Sequence, residues 1–194
     1  MRICIFCGSA AGARPGYRAA AEAMGRTIAG RGVGLVYGGG HVGLMGAAAA
    51  ADGALAAGGE VIGVIPRTLM DRELGHRGVT SLRVVETMHD RKALMADLSD
   101  AFVALPGGIG TLEELFEAWT WAGLGIHRKP VALLDVEGYW TPLMAMIDRM
   151  VAEGFLPAHL RSSLLSETDP GALLDALAAH RPPGDRWAPS GVKP

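Results

Sequence analysis

A doubly wound parallel α/β sheet is the fold class this sequence predicts, and three observations predict it. Short apolar runs alternate with segments of helical period along the chain. The runs are continuously apolar, as in strands buried on both faces of a parallel sheet. Glycine-rich turns follow three of them: CGSA at 7–10, YGGGHVG at 37–43 and PGGIG at 106–110. Together these describe a three-layer, Rossmann-like sandwich whose ligands bind outside the carboxyl ends of the strands.

RICIFCGS reads as the first strand. A helix follows from Pro15 to Ala29, with Pro15 suited to a first-turn position. GVGLVYGGG is the second strand, followed by an alanine-rich helix from Leu44 to Ala57. EVIGVIP is the third strand, ending at Pro66. The polar stretch from Arg67 to Gly78 reads as a loop with room for one helical turn. TSLRVVET forms the fourth strand, and a helix runs from Asp90 to Leu98. AFVALP then leads into a long apolar helix from Thr111 to Leu124. VALLDV is the sixth strand and is followed by a helix from Trp140 to Glu153. LLSETD and a closing helix, Pro170 to His180, finish a single domain over 1–180. The tail at 181–194 lacks periodicity, is rich in Pro and Gly, and is expected to be mobile.

The chain has 194 residues, enough for a real core, with 49% apolar and 20% charged residues. A net charge of −2 argues against general nucleic-acid binding, which needs a basic face. No apolar run approaches a membrane span. The first residues faintly imitate a signal peptide, but the apolar run is short and ends in Gly-Ser, so a first strand is the better reading. The expected location is the cytoplasm. Cys4 and Cys7 form a CxxC, yet in a strand their side chains point to opposite faces. They read as buried small apolar residues.

PGGIGTLEE, from Pro106 to Glu114, is the segment with the most chemistry in it. Gly107, Gly108 and Gly110 let the backbone approach a ligand closely, and the helix start beyond them favours an anion. Glu113 and Glu114 are expected in the first turn of that helix. Thr111 and Glu114 also match a capping box, which is a sufficient structural account of both residues. The functional reading stands beside it: an acid next to an anion cradle. Asp90 is suited to capping the helix that starts near it. Arg91 and Lys92 are either surface charges or, since cations oppose the dipole there, partners of an anion. Gly38, Gly40 and Gly43 fit GxGxxG, the dinucleotide fingerprint. The acid that would bind the ribose, Glu60, begins the third strand and sits at the wrong edge, so NAD is disfavoured.

MHDRK followed by PGGIGTLEE resembles the LONELY GUY family of cytokinin riboside 5′-monophosphate phosphoribohydrolases. These were formerly labelled possible lysine decarboxylases. The likeness runs from FCGS through YGGGHVGLMG to PGGIGTLEELFEAWTWAGLGIHRKP, and the PGGxGTxxE pattern is intact. The resemblance implies that Arg91 and Glu114 are the catalytic pair. It places Glu73, Arg91, Lys92, Gly108, Ile109, Gly110, Thr111, Leu112, Glu113, Glu114 and Thr120 at substrate-binding positions. It also implies a homodimer, no metal and no organic cofactor. Two other classes are weighed against it. One is a nucleotide-binding sensor without turnover. The other is a PLP-dependent decarboxylase, which needs a Schiff-base lysine that only Lys92 is placed to supply.

The helix after the motif adds an oligomer argument. Leu112, Leu115, Phe116 and Trp119 make one apolar stripe. Ala118, Trp121 and Ala122 extend apolar surface to another side, where a second subunit is expected to pack.

Overall fold

The computed structural model describes residues 1–46, 50–72 and 75–181. Seven strands form one all-parallel sheet in the order β4-β3-β2-β1-β5-β6-β7. They are β1 (Arg2–Phe6), β2 (Gly34–Tyr37), β3 (Val61–Pro66), β4 (Ser81–Val85), β5 (Ala101–Ala104), β6 (Val131–Leu134) and β7 (Leu164–Glu167). Between and after them come α1 (Pro15–Gly30), α2 (Ala50–Ala56), α3 (Arg67–Met70) and α4 (Met88–Asp97). The remaining helices are α5 (Ile109–Gly123), α6 (Thr141–Ala152), α7 (Ala158–Ser163) and α8 (Pro170–Ala179). The expected doubly wound parallel sheet is therefore what the chain forms.

The central strand shows why these apolar runs become strands. Ile3 and Ile5 of β1 point into a cluster shared with Met24 and Ile28 of α1, Ala54 of α2 and Leu173 of α8. Cys4 and Phe6 point the other way, into a cluster with Met95 of α4, Leu115 of α5 and Ile147 of α6. Period two along a strand thus feeds two cores, and both faces are covered. Cys4 and Cys7 lie in opposite clusters as free, buried thiols. Burial is the main reason both thiols are held well above their usual pKa, and neither is poised for redox chemistry.

Several boundaries differ from expectation. LLSETD supplies the edge strand β7, and the short α7 before it was not anticipated. Leu44–Gly46, expected to open the second helix, form a turn instead, and residues 47–49 lie outside the described residues. α4 starts at Met88 because Thr87, not Asp90, is its N-cap. Ala118, expected on the outward side of α5, is buried in the inner cluster with Leu115 and Trp119. Trp121 and Ala122 are half-buried, and Leu124 and Ile126 are exposed. The tail beyond Arg181 lies outside the described residues.

Candidate functional site

Strand order reverses between β1 and β5, so the crevice of a doubly wound sheet opens above their carboxyl ends. All three glycine turns converge there. The Gly8 amide donates to Pro106 O at 3.1 Å, and the Leu44 amide donates to Gly8 O at 2.9 Å. Gly107 cannot be another residue in this arrangement. A Cβ on it would lie 2.1 Å from Thr111 Oγ1 and 2.8 Å from the Gly8 nitrogen. A cavity of about 280 Å³ opens beside these turns, with Ser9, Tyr17, Leu44, Gly107, Gly108 and Tyr139 among its walls.

α5 begins on this edge with Gly108 as its N-cap and no side-chain cap hydrogen bond. The first helical return is from the Leu112 amide to Gly108 O at 3.1 Å. The amides of Ile109, Gly110 and Thr111 precede that bond and are the orphan donors of a helix start. A Cβ on Gly108 or Gly110 would meet nothing within 4 Å, so the approach to this end is open. Ile109, the first helical residue, is 87% exposed at its rim.

The expected capping box between Thr111 and Glu114 does not form. The helix starts two residues earlier than its pattern suggests, so Thr111 is its third residue and Glu114 its sixth. Glu113 and Glu114 accordingly sit in the second turn, not the first. Glu114 turns inward and pairs with Arg91 of α4, Nη1 to Oε1 at 2.9 Å. Both residues are more than nine-tenths buried. Arg91 also donates from Nε to Val64 O of β3 at 3.3 Å. A Cβ on Gly38 would stand 1.9 Å from Arg91 Nη2. The glycine that suggested a dinucleotide fingerprint is the seat of this guanidinium.

Burial pushes the Glu114 carboxyl above its usual range, more strongly than Arg91 pulls it back. Lys92 behaves differently from its neighbour. Its side chain is largely buried and pairs with Glu113 and, at 3.0 Å, with Glu117 of α5. Burial lowers the Lys92 pKa, but the hydrogen bonds to Glu113 and Glu117 outweigh it and hold the ammonium charged.

The structure thus pairs Arg91 with Glu114, three residues beyond the Gly108–Thr111 helix start. Lys92 and Glu113 engage each other alongside. Leu112 packs against the inner core. Thr120 is exposed, nine residues beyond Thr111 or about 13 Å along the helix, and is not brought to the cradle. Glu73 lies outside the described residues. Glu60 pairs with Arg2 at 2.9 Å on the opposite edge of the sheet, beside a larger cavity of about 530 Å³. An acid there cannot serve the crevice. Sequence reasoning missed Tyr139, whose hydroxyl donates to Gly107 O. Its only advance signal was its place just after the sixth strand, on the ligand edge.

Fold and site together define a doubly wound α/β protein with an uncapped helix start and a buried guanidinium–carboxylate pair on the ligand edge of its sheet. The profile of a family described as possible lysine decarboxylase matches residues 45–177. A cytokinin riboside 5′-monophosphate phosphoribohydrolase of Arabidopsis thaliana is 49% identical over 189 residues, 96% of this chain and 86% of that protein. One from Oryza sativa subsp. japonica is 52% identical over 167 residues, 85% of this chain and 67% of that protein. Among solved structures, the molybdenum cofactor carrier protein of Chlamydomonas reinhardtii matches with a TM-score of 0.68 at 25% identity. It covers 92% of this chain and 98% of its own. The chain belongs to the family these phosphoribohydrolases represent, the LONELY GUY family.

Proposed function

We propose that this protein hydrolyses the N-glycosidic bond of an adenosine 5′-monophosphate, N6-substituted or plain, releasing the free base and ribose 5-phosphate. Relatives about half identical over most of the chain carry the name of that activity. The observation that carries the reading is the buried Arg91–Glu114 pair beside an uncapped helix start.

The open amides of α5 take the phosphate, which fixes the ribose near Glu114. Breaking the bond leaves positive charge on the ribose, as in glycoside hydrolysis, and a carboxylate stabilises it. Glu114 fills that role and accepts the proton of the attacking water, while the base departs with the electron pair of the broken C–N bond and takes up a proton from solvent. Its raised pKa makes it a stronger base than an ordinary carboxylate. Arg91 is a permanent cation and a poor proton donor, so it acts as an electrostatic clamp. The reading includes a cytoplasmic homodimer formed through the C-terminal end of α5 and the turn after it, where Leu124 and Ile126 are exposed.

The decarboxylase label fits less well. A Schiff base needs a neutral lysine amine, whereas Lys92 is tied between two carboxylates and Lys129 Nζ donates to Ala96 O at 2.7 Å. A carrier role is the stronger rival, because the Chlamydomonas protein of this fold is a cofactor carrier.

Incubation with AMP and with N6-isopentenyl-AMP, followed by chromatography for free base, tests the proposal. Wild type is expected to release base, and Glu114→Gln to lose about 10²-fold or more in rate while remaining folded. Activity should fall as acid protonates Glu114, above the ordinary value of 4.5. Release of base by Glu114→Gln at the wild-type rate removes Glu114 from the chemistry. Sedimentation at only 20.2 kDa removes the dimer.

A further inference from the structure

We infer that Tyr139 is a positioning residue that locks the Gly107–Gly108 peptide and so sets the phosphate cradle. This rests on reading the α5 start as the phosphate site.

The Tyr139 hydroxyl donates to Gly107 O at 2.5 Å. The linkage it holds joins two glycines and leads straight into the helix N-cap, so without an anchor it has unusual rotational freedom. A trans peptide is planar, and fixing the Gly107 carbonyl fixes the Gly108 N–H on the opposite side. A carbonyl oxygen rotated toward the cradle would repel a phosphate. The tyrosine keeps that oxygen occupied elsewhere.

The loop that delivers Tyr139 is built for the purpose. The Tyr139 amide closes a tight turn onto Val136 O at 3.1 Å. Glu137 and Gly138 between them have φ of 53° and 72°. Glu137 is the one non-glycine with positive φ among the described residues, a strained choice of the kind that collects at functional sites. Arg14, the residue before α1, holds its carboxylate at 3.1 Å. Trp140 donates its amide to Asp135 Oδ1 at 2.8 Å, and the Tyr139 ring stands edge-on to Tyr17 with centroids 5.6 Å apart. Ring and turn are thus fixed independently of the hydroxyl, whose own contact is with the glycine linkage.

Tyr139→Phe keeps the ring and removes the lock. Titration calorimetry with ribose 5-phosphate, which needs no turnover, should show affinity weakened about fivefold, the scale of one lost hydrogen bond. KM for AMP should rise by the same factor. kcat and inhibition by free adenine should stay at wild-type values, and the melting temperature should fall by no more than the loss of one exposed hydrogen bond. A merely structural role would lower the melting temperature and leave ribose 5-phosphate affinity and KM for AMP at wild-type values. Wild-type ribose 5-phosphate affinity in Tyr139→Phe, beside a wild type that hydrolyses AMP, overturns the lock and leaves the hydrolase reading intact. Failure of the wild-type chain to bind ribose 5-phosphate overturns the cradle and the lock together. Binding that weakens in Tyr139→Phe without any AMP hydrolysis by wild type supports the lock and sinks the hydrolase.

Discussion

Two helices of this protein, α4 after β4 and α5 after β5, start at the ligand edge, and they start in opposite ways. α4 is closed by its own side chains. Thr87 Oγ1 accepts from the Asp90 amide at 3.0 Å, and the Asp90 carboxylate accepts from the Thr87 amide at 3.1 Å. α5 begins on a glycine with no side chain to offer its first amides. Both ends carry the same partial positive charge. Only α4 has a side-chain cap on its first amides. The closed end is scaffold, and it serves to deliver Arg91 from α4. The open end is where an anion gains most.

Closing the open end should therefore have the largest effect. Gly108 has extended backbone angles (φ −93°, ψ −154°) and free space around a new side chain, so Gly108→Asp is expected to fold. Aspartate is a good N-cap and would stabilise α5 by a few tenths of a kcal/mol, about the margin it holds over glycine there. The same carboxylate would occupy the amides and repel a phosphate, a like-charge contact on the order of several kcal/mol. KM for AMP should rise about 10²-fold or more while thermal stability holds or improves. A Gly108→Asp enzyme with wild-type KM would mean that the phosphate sits elsewhere.

The tether between the two helices gives a smaller and more discriminating effect. Lys92 joins α4 to α5 through Glu113 and Glu117, with its ammonium directed at them. Family resemblance makes it a substrate group, whereas its contacts make it a strut. Lys92→Met keeps the apolar stem and removes the charge. If Lys92 is a strut, chemical denaturation should show a loss of about 1 kcal/mol, since Glu113 is half exposed and solvent blunts the pair. KM should then rise less than about threefold, well short of a lost phosphate contact. A tenfold rise in KM with unchanged stability would return Lys92 to the substrate.

Most of the fold was legible because strands buried on both faces must be continuously apolar, and β2, β3, β5, β6 and all of β1 beyond Arg2 are. The edge strand β7 is half exposed and carries no such signature. At the site, local patterns misled where a distant residue decides. Gly38 reads as part of a nucleotide fingerprint until Arg91 is seen against it. Thr111 and Glu114 have the spacing of a capping box, but Gly107 and Gly108 let the helix begin earlier and free the acid for Arg91. Tyr139 was invisible for the same reason. Its partner is a backbone oxygen in another turn, and no side-chain spacing encodes that.

The smallest expected effect comes from opening the closed end. Thr87→Ala removes the cap of α4 and leaves the Asp90 amide without its acceptor. The cost to stability should be about 1 kcal/mol, read from denaturant midpoints. Activity at saturating AMP should change by less than about twofold, because Arg91 does not depend on the cap for its position. It is held from the side by Val64 O and Glu114, one turn further along. Thr87→Ala and Gly108→Asp are thus mirror images: one trades stability for nothing in function, the other trades function for a slight gain in stability. Should Thr87→Ala instead cost activity with its stability unchanged, the α4 end also faces the substrate, and the division between scaffold and cradle fails.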